Sequence, residues 1–316
     1  MSIIITCLLF ILGLILIIKG GDWFIDAASW IAKTTGMPEV LIGATIVSLG
    51  TTFPELMVST TASIQGHGEM AIGNAIGSTI CNIGLILGFC NIISPSKINS
   101  RIYTIKSFMM LCYAAVLMVM VLDGKIGKVD TILLLVGVII YILVNYLEVN
   151  IKKTTLKRRG TYKHEKISLK EGCFNGLKFI AGACVIVVGA RLLVDHGIVI
   201  ASLLKVPQFI ISLTLIALGT SLPELVTSVT ALLKGYRNLA VGNIIGANIL
   251  NMTMVIGVSS IFGEITVPNQ IIRLDLPFSL MLMVVLTYPS IITWKINRIH
   301  ASILLFLYIL YIFLVF

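Results

Sequence analysis

The stretch GTTFPEL at residues 50–56 places two hydroxyls, a proline and a carboxylate in the middle of a long apolar segment. The stretch GTSLPEL repeats this pattern at residues 219–225. A carboxylate in apolar surroundings is costly unless it is paired or has a function. The duplication therefore predicts a functional site to which both stretches contribute.

The composition is that of an integral membrane protein. Of the 316 residues, 58% are hydrophobic and only 12% are charged, far less charge than a soluble domain of this size carries. A membrane helix needs about 20 predominantly apolar residues, and we predict ten such spans in an all-α fold. They cover residues 3–33, 40–64, 69–93, 104–122, 129–149, 171–203, 207–233, 238–262, 274–293 and 299–316.

The net charge of +9 is explained by membrane topology rather than by nucleic-acid binding. Residues 152–170 carry eight Lys or Arg against one Glu, and the positive-inside rule places this loop in the cytoplasm. Ten spans then put both termini outside, with sixteen basic residues in the inner loops against four in the outer loops. We therefore expect a multi-pass protein of the plasma (cell inner) membrane.

An internal repeat relates the two halves of the chain. Residues 13–88 align without a gap with residues 182–257, and the matched pairs include Glu55 with Glu224 and Asn82 with Asn251. Because each half holds five spans, the second half must enter the membrane from the opposite face. We predict two inverted repeats at 1–149 and 171–316, most alike at 43–88 and 212–257, with a basic cytoplasmic linker at 150–170. Inverted repeats with broken helices are typical of secondary transporters.

The two prolines predict kinks that expose backbone oxygens. Pro54 offers no N–H to the carbonyl of Gly50, and Pro223 acts in the same way near residues 217–220. Thr51 lies one helical turn from Glu55, so that hydroxyls, carbonyls and a carboxylate converge. Two such half-shells would supply the roughly six to eight oxygens and the two charges that suit Ca²⁺, whereas Mg²⁺ demands a tighter octahedron.

A polar stripe on the third span of each half is predicted to face the same region. The stripes consist of Asn74, Ser78 and Asn82, and of Asn243, Ala247 and Asn251. The glycines beside them, Gly73, Gly77, Gly242 and Gly246, allow close helix approach. Structural hydrogen bonds between helices are the alternative interpretation, more so for Asn74 and Asn243 than for Asn82 and Asn251. Four further charged residues at the ends of the long spans are interpreted as structural, interfacial or paired with Lys19: Asp22, Asp26, Arg191 and Asp195.

These stretches resemble the two α-repeats of the cation/Ca²⁺ exchanger superfamily, in its prokaryotic sodium/calcium exchanger branch. The resemblance rests on GATIVSLGTTFPEL with GNAIGSTICNIG, and on SLTLIALGTSLPEL with GNIIGANILNMT. It implies one Ca²⁺ site and several Na⁺ sites at mid-membrane, with alternating access by sliding of the first and sixth helices. It also implies a ligand set by position: the side chains of Glu55 and Glu224 and the carbonyls of Thr51 and Thr220 for Ca²⁺, and Thr52, Ser78, Ser221 and the carbonyls of Ser48 and Ala217 for Na⁺.

Two positions depart from the pattern of that family. Asn251 stands where members often carry an acid, which leaves the formal charge of the site at −2, and Ala247 stands where members carry a serine. The first departure argues against K⁺ co-transport, and the second removes a ligand from one outer Na⁺ site. No cofactor is expected besides the transported ions, and the oligomeric state is left open.

Two alternative functions use the same residues. A Ca²⁺/H⁺ antiporter would exchange protons on the two glutamates, but such relatives tend to read G-N-x-x-E without the hydroxyl pairs found here. A passive cation channel would also use paired carboxylates, although inverted repeats favour a transporter. A membrane enzyme is the least expected class, because the spans contain no nucleophile–base pair.

Overall fold

The computed structural model describes residues 3–98, 101–158, 168–203 and 219–315, and its long elements are all helices. The first half contains α1 (Ile3–Thr35), α2 (Glu39–Ile42), α3 (Ser48–Ile64), α4 (Gly68–Cys81), α5 (Gly88–Ile93), α6 (Arg101–Met120) and α7 (Lys128–Arg158). The second half contains α8 (Leu169–Leu203), α9 (Leu222–Leu233), α10 (Arg237–Leu250), α11 (Ile256–Ser259), α12 (Leu276–Thr293) and α13 (Arg298–Val315).

Several of these helices are continuous through a widened turn of π-helix. Such turns join α2 to α3 at Gly43–Val47, α4 to α5 at Asn82–Leu87, and α10 to α11 at Asn251–Val255. A fourth, Ile271–Asp275, leads into α12. Short 3₁₀ turns follow α6 at Val121–Asp123 and α11 at Ser260–Phe262.

Nine helices of the described residues are long and apolar enough to cross a membrane, so the prediction of a helical membrane protein is confirmed. They correspond to nine of the ten predicted spans, with bounds that differ by a few residues. The remaining predicted span, 207–233, is described only in its second part, the 12-residue helix α9. Residues 204–218 lie outside the described residues, so the count of ten stays a prediction.

The predicted linker at 150–170 is helical at both of its ends. Helix α7 continues to Arg158, and α8 already begins at Leu169. The middle of the predicted linker, 159–167, lies outside the described residues. The apolar pattern ends near residue 149, but a lysine- and arginine-rich sequence has good helix propensity, which accounts for the longer helix.

Two short antiparallel sheets tie together loops that the charge pattern assigns to the same membrane face. Strand β1 (Ser96–Lys97) pairs with β4 (Lys295–Ile296), and β2 (Lys125–Ile126) pairs with β3 (Ile265–Thr266). Shifting β1 by 169 positions gives β3, and the partner of each strand comes from the other half of the chain. The two sheets are therefore reciprocal links between the halves.

Helices α1 and α8 cross closely at four glycines. A Cβ built at Gly13 would lie 2.9 Å from the carbonyl oxygen of Gly189, and a Cβ built at Gly20 would lie 3.0 Å from that of Gly182. The repeat equates Gly13 with Gly182 and Gly20 with Gly189, so the contact is reciprocal. Glycine is required here because any side chain would meet the backbone of the neighbouring helix.

The core of the molecule lies around the third span of the first half and its counterpart in the second. In the most apolar 18 residues of each span, the buried share is 72% for Gly68–Ile93 and 83% for Arg237–Phe262. It is only 11% for Arg298–Val315. The two buried spans carry the predicted asparagine stripes. Their polar side chains are therefore surrounded by protein and not by lipid.

Lys106 is one of the sixteen basic residues counted above in the inner loops, but it lies inside a helix and not in a loop. It belongs to α6, its side chain is fully buried, and its Nζ lies 2.8 Å from Oε2 of Glu148 on α7. The ammonium also lies 5.3 Å from the centroid of the Tyr141 ring. A buried lysine needs such a partner, and Glu148 sits too far along the chain for the pairing to be predicted.

Candidate ion-binding site

The two predicted glutamates occupy different local structures. Glu55 lies in the middle of α3, which continues through Pro54 without interruption. Glu224 lies in the first turn of α9, which begins at Leu222 with Pro223 in its first turn. Both glutamate side chains are fully buried.

The carboxylates of the two halves lie together. Glu55 and Glu224 are within electrostatic reach of each other, and the Glu224 carboxylate lies alongside Thr51 and Thr52. Even so, none of the four carboxylate oxygens has a hydrogen-bond partner within the described structure. Buried polar atoms in native proteins are nearly always partnered, so four orphaned oxygens indicate a position for a cation.

The start of α9 has the sequence spacing of a capping box, yet its side chains do not cap the helix. Ser221 occupies the N-cap position, and Glu224 follows three residues later. The Ser221 hydroxyl makes no capping bond, and neither it nor the Glu224 carboxylate has a hydrogen-bond partner among the described residues. Both groups therefore keep their oxygens available for a ligand.

The π-helical turns of the core spans begin at the two asparagines equated by the repeat. Asn82 opens one turn and Asn251 opens the other. A π-turn widens the helix by one residue and is frequent at functional sites. The Oδ1 atom of Asn82 and both amide atoms of Asn251 have no hydrogen-bond partner within the described chain, so these amides also point to a ligand.

The hydroxyls of the predicted set divide into two groups. Thr52 Oγ1 and Ser221 Oγ are buried without a hydrogen-bond partner in the described residues. In contrast, Ser78 Oγ lies 3.4 Å from Thr220 Oγ1, across the two halves, and Thr51 donates to Asn243 Oδ1 at 3.2 Å. The first group is free to bind an ion, whereas the second also braces the site.

Asn74 and Asn243 form reciprocal braces between helices. Thr220 donates to Asn74 Oδ1 at 3.1 Å, and Asn74 Nδ2 donates to Ser59 Oγ at 3.0 Å. In the other half, Asn243 accepts from Thr51 and donates from Nδ2 to Thr227 Oγ1 at 3.2 Å. These amides are engaged in hydrogen bonds between helices, as the alternative interpretation of them stated.

The remaining predicted ligands are carbonyl groups. Ser48 is fully buried at the start of α3, and its carbonyl oxygen lies 3.4 Å from the Thr51 hydroxyl, whose one proton is shared between this carbonyl and Asn243 Oδ1. A Cβ built at Gly246 would lie 2.6 Å from Ser48 Oγ, so the predicted close approach of helices holds there. Ala217 lies outside the described residues. Around Gly73 and Gly77 no described atom comes within 4 Å of a built Cβ.

Asn248 belongs to this region and was not predicted. Asn82 Nδ2 donates to its Oδ1 at 3.0 Å, and Asn248 is fully buried. The repeat equates Asn248 with Thr79, so the comparison of the halves did not single it out. Its position three residues before Asn251, on the same helix face, was the available signal.

The donor set as a whole suits hard cations. It offers four carboxylate oxygens, two amide oxygens and two hydroxyls that lack partners, from Glu55, Glu224, Asn82, Asn251, Thr52 and Ser221. Oxygen ligands with two carboxylates are what Ca²⁺ prefers. Among the described residues there is no group of three His, Cys, Asp or Glu.

A cavity of about 230 Å³ reaches one side of this region. It lies between α3, α8 and the segment Gly219–Pro223, and Thr220 of the predicted set lines it together with Pro54 and Pro223. Arg191 and Asp195 of α8 form its charged wall. The cavity thus borders the site at Thr220, on the side that faces the second half of α8.

A helical membrane bundle with a buried pair of carboxylates, contributed by two related halves, defines the class of ion transporters built on internal repeats. The chain belongs to the sodium/calcium exchanger protein family, whose model matches residues 5–147 and 175–316. It is 30% identical to the sodium/calcium exchanger MaX1 of Methanosarcina acetivorans over 99% of both chains. It is also 35% identical to the inner membrane protein YrbG of Escherichia coli, over 91% of this chain and 88% of that one.

The fold is similar to that of a solved exchanger. A structure of the sodium–calcium exchanger NCX_Mj superposes with a TM-score of 0.85 at 32% sequence identity, and all of both chains is covered. The predicted family is therefore confirmed, and with it the class of membrane exchangers.

Proposed function

We propose that this protein exchanges Na⁺ for Ca²⁺ across the membrane by alternating access. In this proposal both ions compete for one mid-membrane site built on Glu55 and Glu224, with Thr51, Thr52, Thr220, Ser221, Ser78, Asn82, Asn251 and the carbonyls of Ser48 and Ala217 around them. The observation that carries the proposal is the set of buried, unpartnered oxygens drawn from both halves.

The charge of the site makes exchange obligatory. Two buried carboxylates without a counter-ion are expensive in a dry environment, so the empty site should not move easily between the two faces. One Ca²⁺ neutralises both carboxylates, and several Na⁺ ions do the same. The protein is then expected to change conformation only when it is loaded, which couples the two ion flows.

Sodium is favoured over protons as the coupling ion because of the neutral oxygens. A proton needs only a carboxylate, whereas Na⁺ needs several hydroxyl, amide or carbonyl oxygens around it. The unpartnered hydroxyls of Thr52 and Ser221 and the amide of Asn251 meet that need. In a Ca²⁺/H⁺ antiporter these buried groups would bind an ion only in the Ca²⁺-loaded state, and the protonated state would leave them unpartnered at a cost in stability.

The architecture proposed with this function is a pair of inverted five-helix repeats. The reciprocal glycine contacts of α1 with α8, the reciprocal sheets and the paired π-turns support it. The excess of basic residues in alternate loops supports a cytoplasmic position for residues 150–170 and an outer position for both termini, with the protein in the inner membrane of the cell.

Radiolabelled Ca²⁺ uptake into proteoliposomes tests the proposal. Vesicles loaded with Na⁺ and diluted into Na⁺-free buffer should accumulate Ca²⁺, and uptake should stop when monensin dissipates the gradient. A pH gradient of equal size, imposed without Na⁺, should drive little uptake. Uptake that responds only to the pH gradient would favour the Ca²⁺/H⁺ antiporter. Ca²⁺ uptake that needs neither a Na⁺ gradient nor a pH gradient would favour a channel.

A further inference from the structure

An ion cluster joins three helices at the end of the bundle opposite the cavity. Lys234 Nζ lies 3.0 Å from Asp22 Oδ1 and 2.6 Å from Asp26 Oδ1, and Lys178 Nζ lies 3.0 Å from Asp26 Oδ2. We call these four residues the Lys234 cluster. The two aspartates, interpreted from the sequence as structural, interfacial or paired with Lys19, thus pair with lysines from α8 and from the end of α9.

The Lys234 cluster connects the closely packed pair of helices α1 and α8 to helix α9. Asp22 and Asp26 are on α1, which packs tightly against α8 through glycines. Lys234 is the C-cap residue of α9, the helix whose first turn carries Glu224. At Gly21, α1 has no side chain toward α9, and a Cβ there would lie 2.9 Å from Thr230 Oγ1. The ion pairs of Lys234 therefore attach α1 to the end of α9, and Lys33 of α1 adds a hydrogen bond to the Tyr236 hydroxyl just beyond α9, at 2.9 Å.

Lys234 retains its charge in this setting. Partial burial by itself lowers the pKa of its ammonium group, but hydrogen bonds to Asp26 and Asp22 outweigh that effect and raise the pKa above its ordinary value. Its Nζ also donates to the backbone carbonyl of Asp22 at 3.3 Å. The attachment is therefore charged and multidentate at any physiological pH.

At the other end of the bundle, the described residues form no equivalent attachment. The repeat equates Lys234 with Gln65, and Asp22 with Arg191. Asp195, the counterpart of Asp26, forms no ion pair within the described residues, and with Arg191 it lines the open cavity. The described residues thus form an ionic attachment at one end of the bundle and line a cavity with charged residues toward the other end.

We infer that Lys234 is a positioning residue that holds α1 against α9 and thereby keeps the cytoplasmic side of the ion site closed. This inference rests on the proposed function, since it concerns the two access states of an exchanger. The cluster must break before the cytoplasmic side opens, so it sets the ratio of the two states and hence the difference in apparent ion affinity between the two membrane faces.

The expected effect follows from the dependence of apparent affinity on the population of the competent state. An ion that arrives from one face can bind only to the fraction of the protein that is open to that face. Its apparent Kd therefore rises as that fraction falls. Loss of the two ion pairs of Lys234 should raise the cytoplasm-open fraction by about two- to tenfold. The half-saturating Ca²⁺ concentration should fall at the cytoplasmic face relative to the outer face.

The experiment measures Na⁺-driven Ca²⁺ transport in right-side-out and in everted membrane vesicles, which expose opposite faces. The quantity compared is the half-saturating Ca²⁺ concentration at the outer face divided by that at the cytoplasmic face. We expect the Lys234→Met variant to raise this ratio by about two- to tenfold. Lys178→Met is the matched control: it removes a lysine from the same aspartate, but its ion pair lies within the α1–α8 unit. The control should leave the ratio near that of the wild type.

Hydrogen–deuterium exchange provides a readout that does not depend on transport. In Lys234→Met, amides of residues 22–35 should exchange faster than in the wild type and in Lys178→Met. An unchanged affinity ratio together with unchanged exchange would overturn the inference while leaving the exchanger function intact. Loss of Na⁺-driven Ca²⁺ transport in all proteins, including the wild type, would instead reject the proposed function.

Discussion

At the residue scale, the two glutamates are the least replaceable groups of the molecule. Each is fully buried without a hydrogen-bond partner in the described structure, so its value lies in its negative charge and its oxygens. Glu55→Gln or Glu224→Gln keeps the shape and removes one of the two charges. Because Ca²⁺ affinity depends on the number of charged ligands, we expect Na⁺-driven Ca²⁺ uptake to fall on the order of 100-fold.

The control for this prediction is Glu264→Gln. Glu264 is more than half exposed and lies 3.5 Å from Lys125 in a peripheral ion pair. Its replacement should leave uptake in proteoliposomes within about twofold of wild type, as is usual for exposed pairs. Substantial Na⁺-driven flux in either buried glutamine variant would exclude the glutamates as the shared ion site.

Ala247 is the position at which the two polar stripes differ. The repeat equates it with Ser78, and it is fully buried in α10. Ala247→Ser adds a hydroxyl to the polar stripe, so we expect the half-saturating Na⁺ concentration to fall about two- to tenfold, the effect of one added polar contact. The measurement is the Na⁺ dependence of Ca²⁺ efflux from loaded proteoliposomes.

A matched variant separates this effect from the cost of burying any new hydroxyl. Ala75→Ser places a serine at a buried position of α4 that is outside the stripe. It should leave Na⁺ dependence unchanged. An equal shift in both variants would show that Ala247 has no special relation to a Na⁺ site.

The duplicated sequence predicted the glutamates and hydroxyls because the repeat marks them twice. It did not predict Asn248, whose counterpart in the first half is Thr79, or the partner of Lys106, which lies 42 positions further along the chain. Both depend on contacts between helices that are distant in sequence. Such pairings become visible only after the helices are packed.

At the element scale, the glycines of α1 and α8 set how closely these helices pack. A Cβ at Gly189 would lie 2.8 Å from Ile17 N and 2.9 Å from the Gly13 carbonyl oxygen, so backbone must shift. We expect Gly189→Ala to reduce stability by about 1–3 kcal/mol, as overpacking does. Thermal unfolding of the detergent-purified protein, followed by circular dichroism, measures the effect.

The same helix offers a control for the change of residue type. Around Gly176, also on α8, no described atom lies within 4 Å of a built Cβ. Gly176→Ala should be neutral or slightly stabilising, since alanine is the better helix former. Equal melting temperatures for the two variants would mean that the close crossing of α1 and α8 does not contribute to stability.

The lengths of the helices were predictable, but their interior irregularities were not. Apolar runs of membrane length fixed α1 and α13 to within a few residues of their observed ends. The π-turns at Asn82 and Asn251 have no sequence signal of their own, because the same residues are compatible with an α-helix. The two equivalent prolines also act differently, since α3 continues through Pro54 whereas α9 starts beside Pro223.

At the scale of the whole molecule, the relation between the halves links the site to transport. Residues that the repeat equates meet or take reciprocal partners at the α1–α8 crossing, in the two sheets and around Asn74 and Asn243. The two ends of the bundle are therefore related by the repeat, but their charged residues differ. Lys234 and Arg191 stand at positions where the other half has Gln65 and Asp22.

The charge of the site predicts that transport responds to voltage. If three Na⁺ exchange for one Ca²⁺, as the family resemblance implies, one net positive charge crosses the membrane in each cycle, in the direction of the sodium ions. Moving one charge across 100 mV is worth about 2.3 kcal/mol, which corresponds to about a 50-fold change in the Ca²⁺ gradient at equilibrium. In Na⁺-loaded proteoliposomes, an inside-positive potential set with K⁺ and valinomycin should increase Ca²⁺ uptake, and an inside-negative potential should decrease it.

Exchange of two Na⁺ for each Ca²⁺ would instead be electrically neutral, so the Ca²⁺ level reached at equilibrium would not change with the potential. That level distinguishes the two stoichiometries even if the rate-limiting step itself carries no charge.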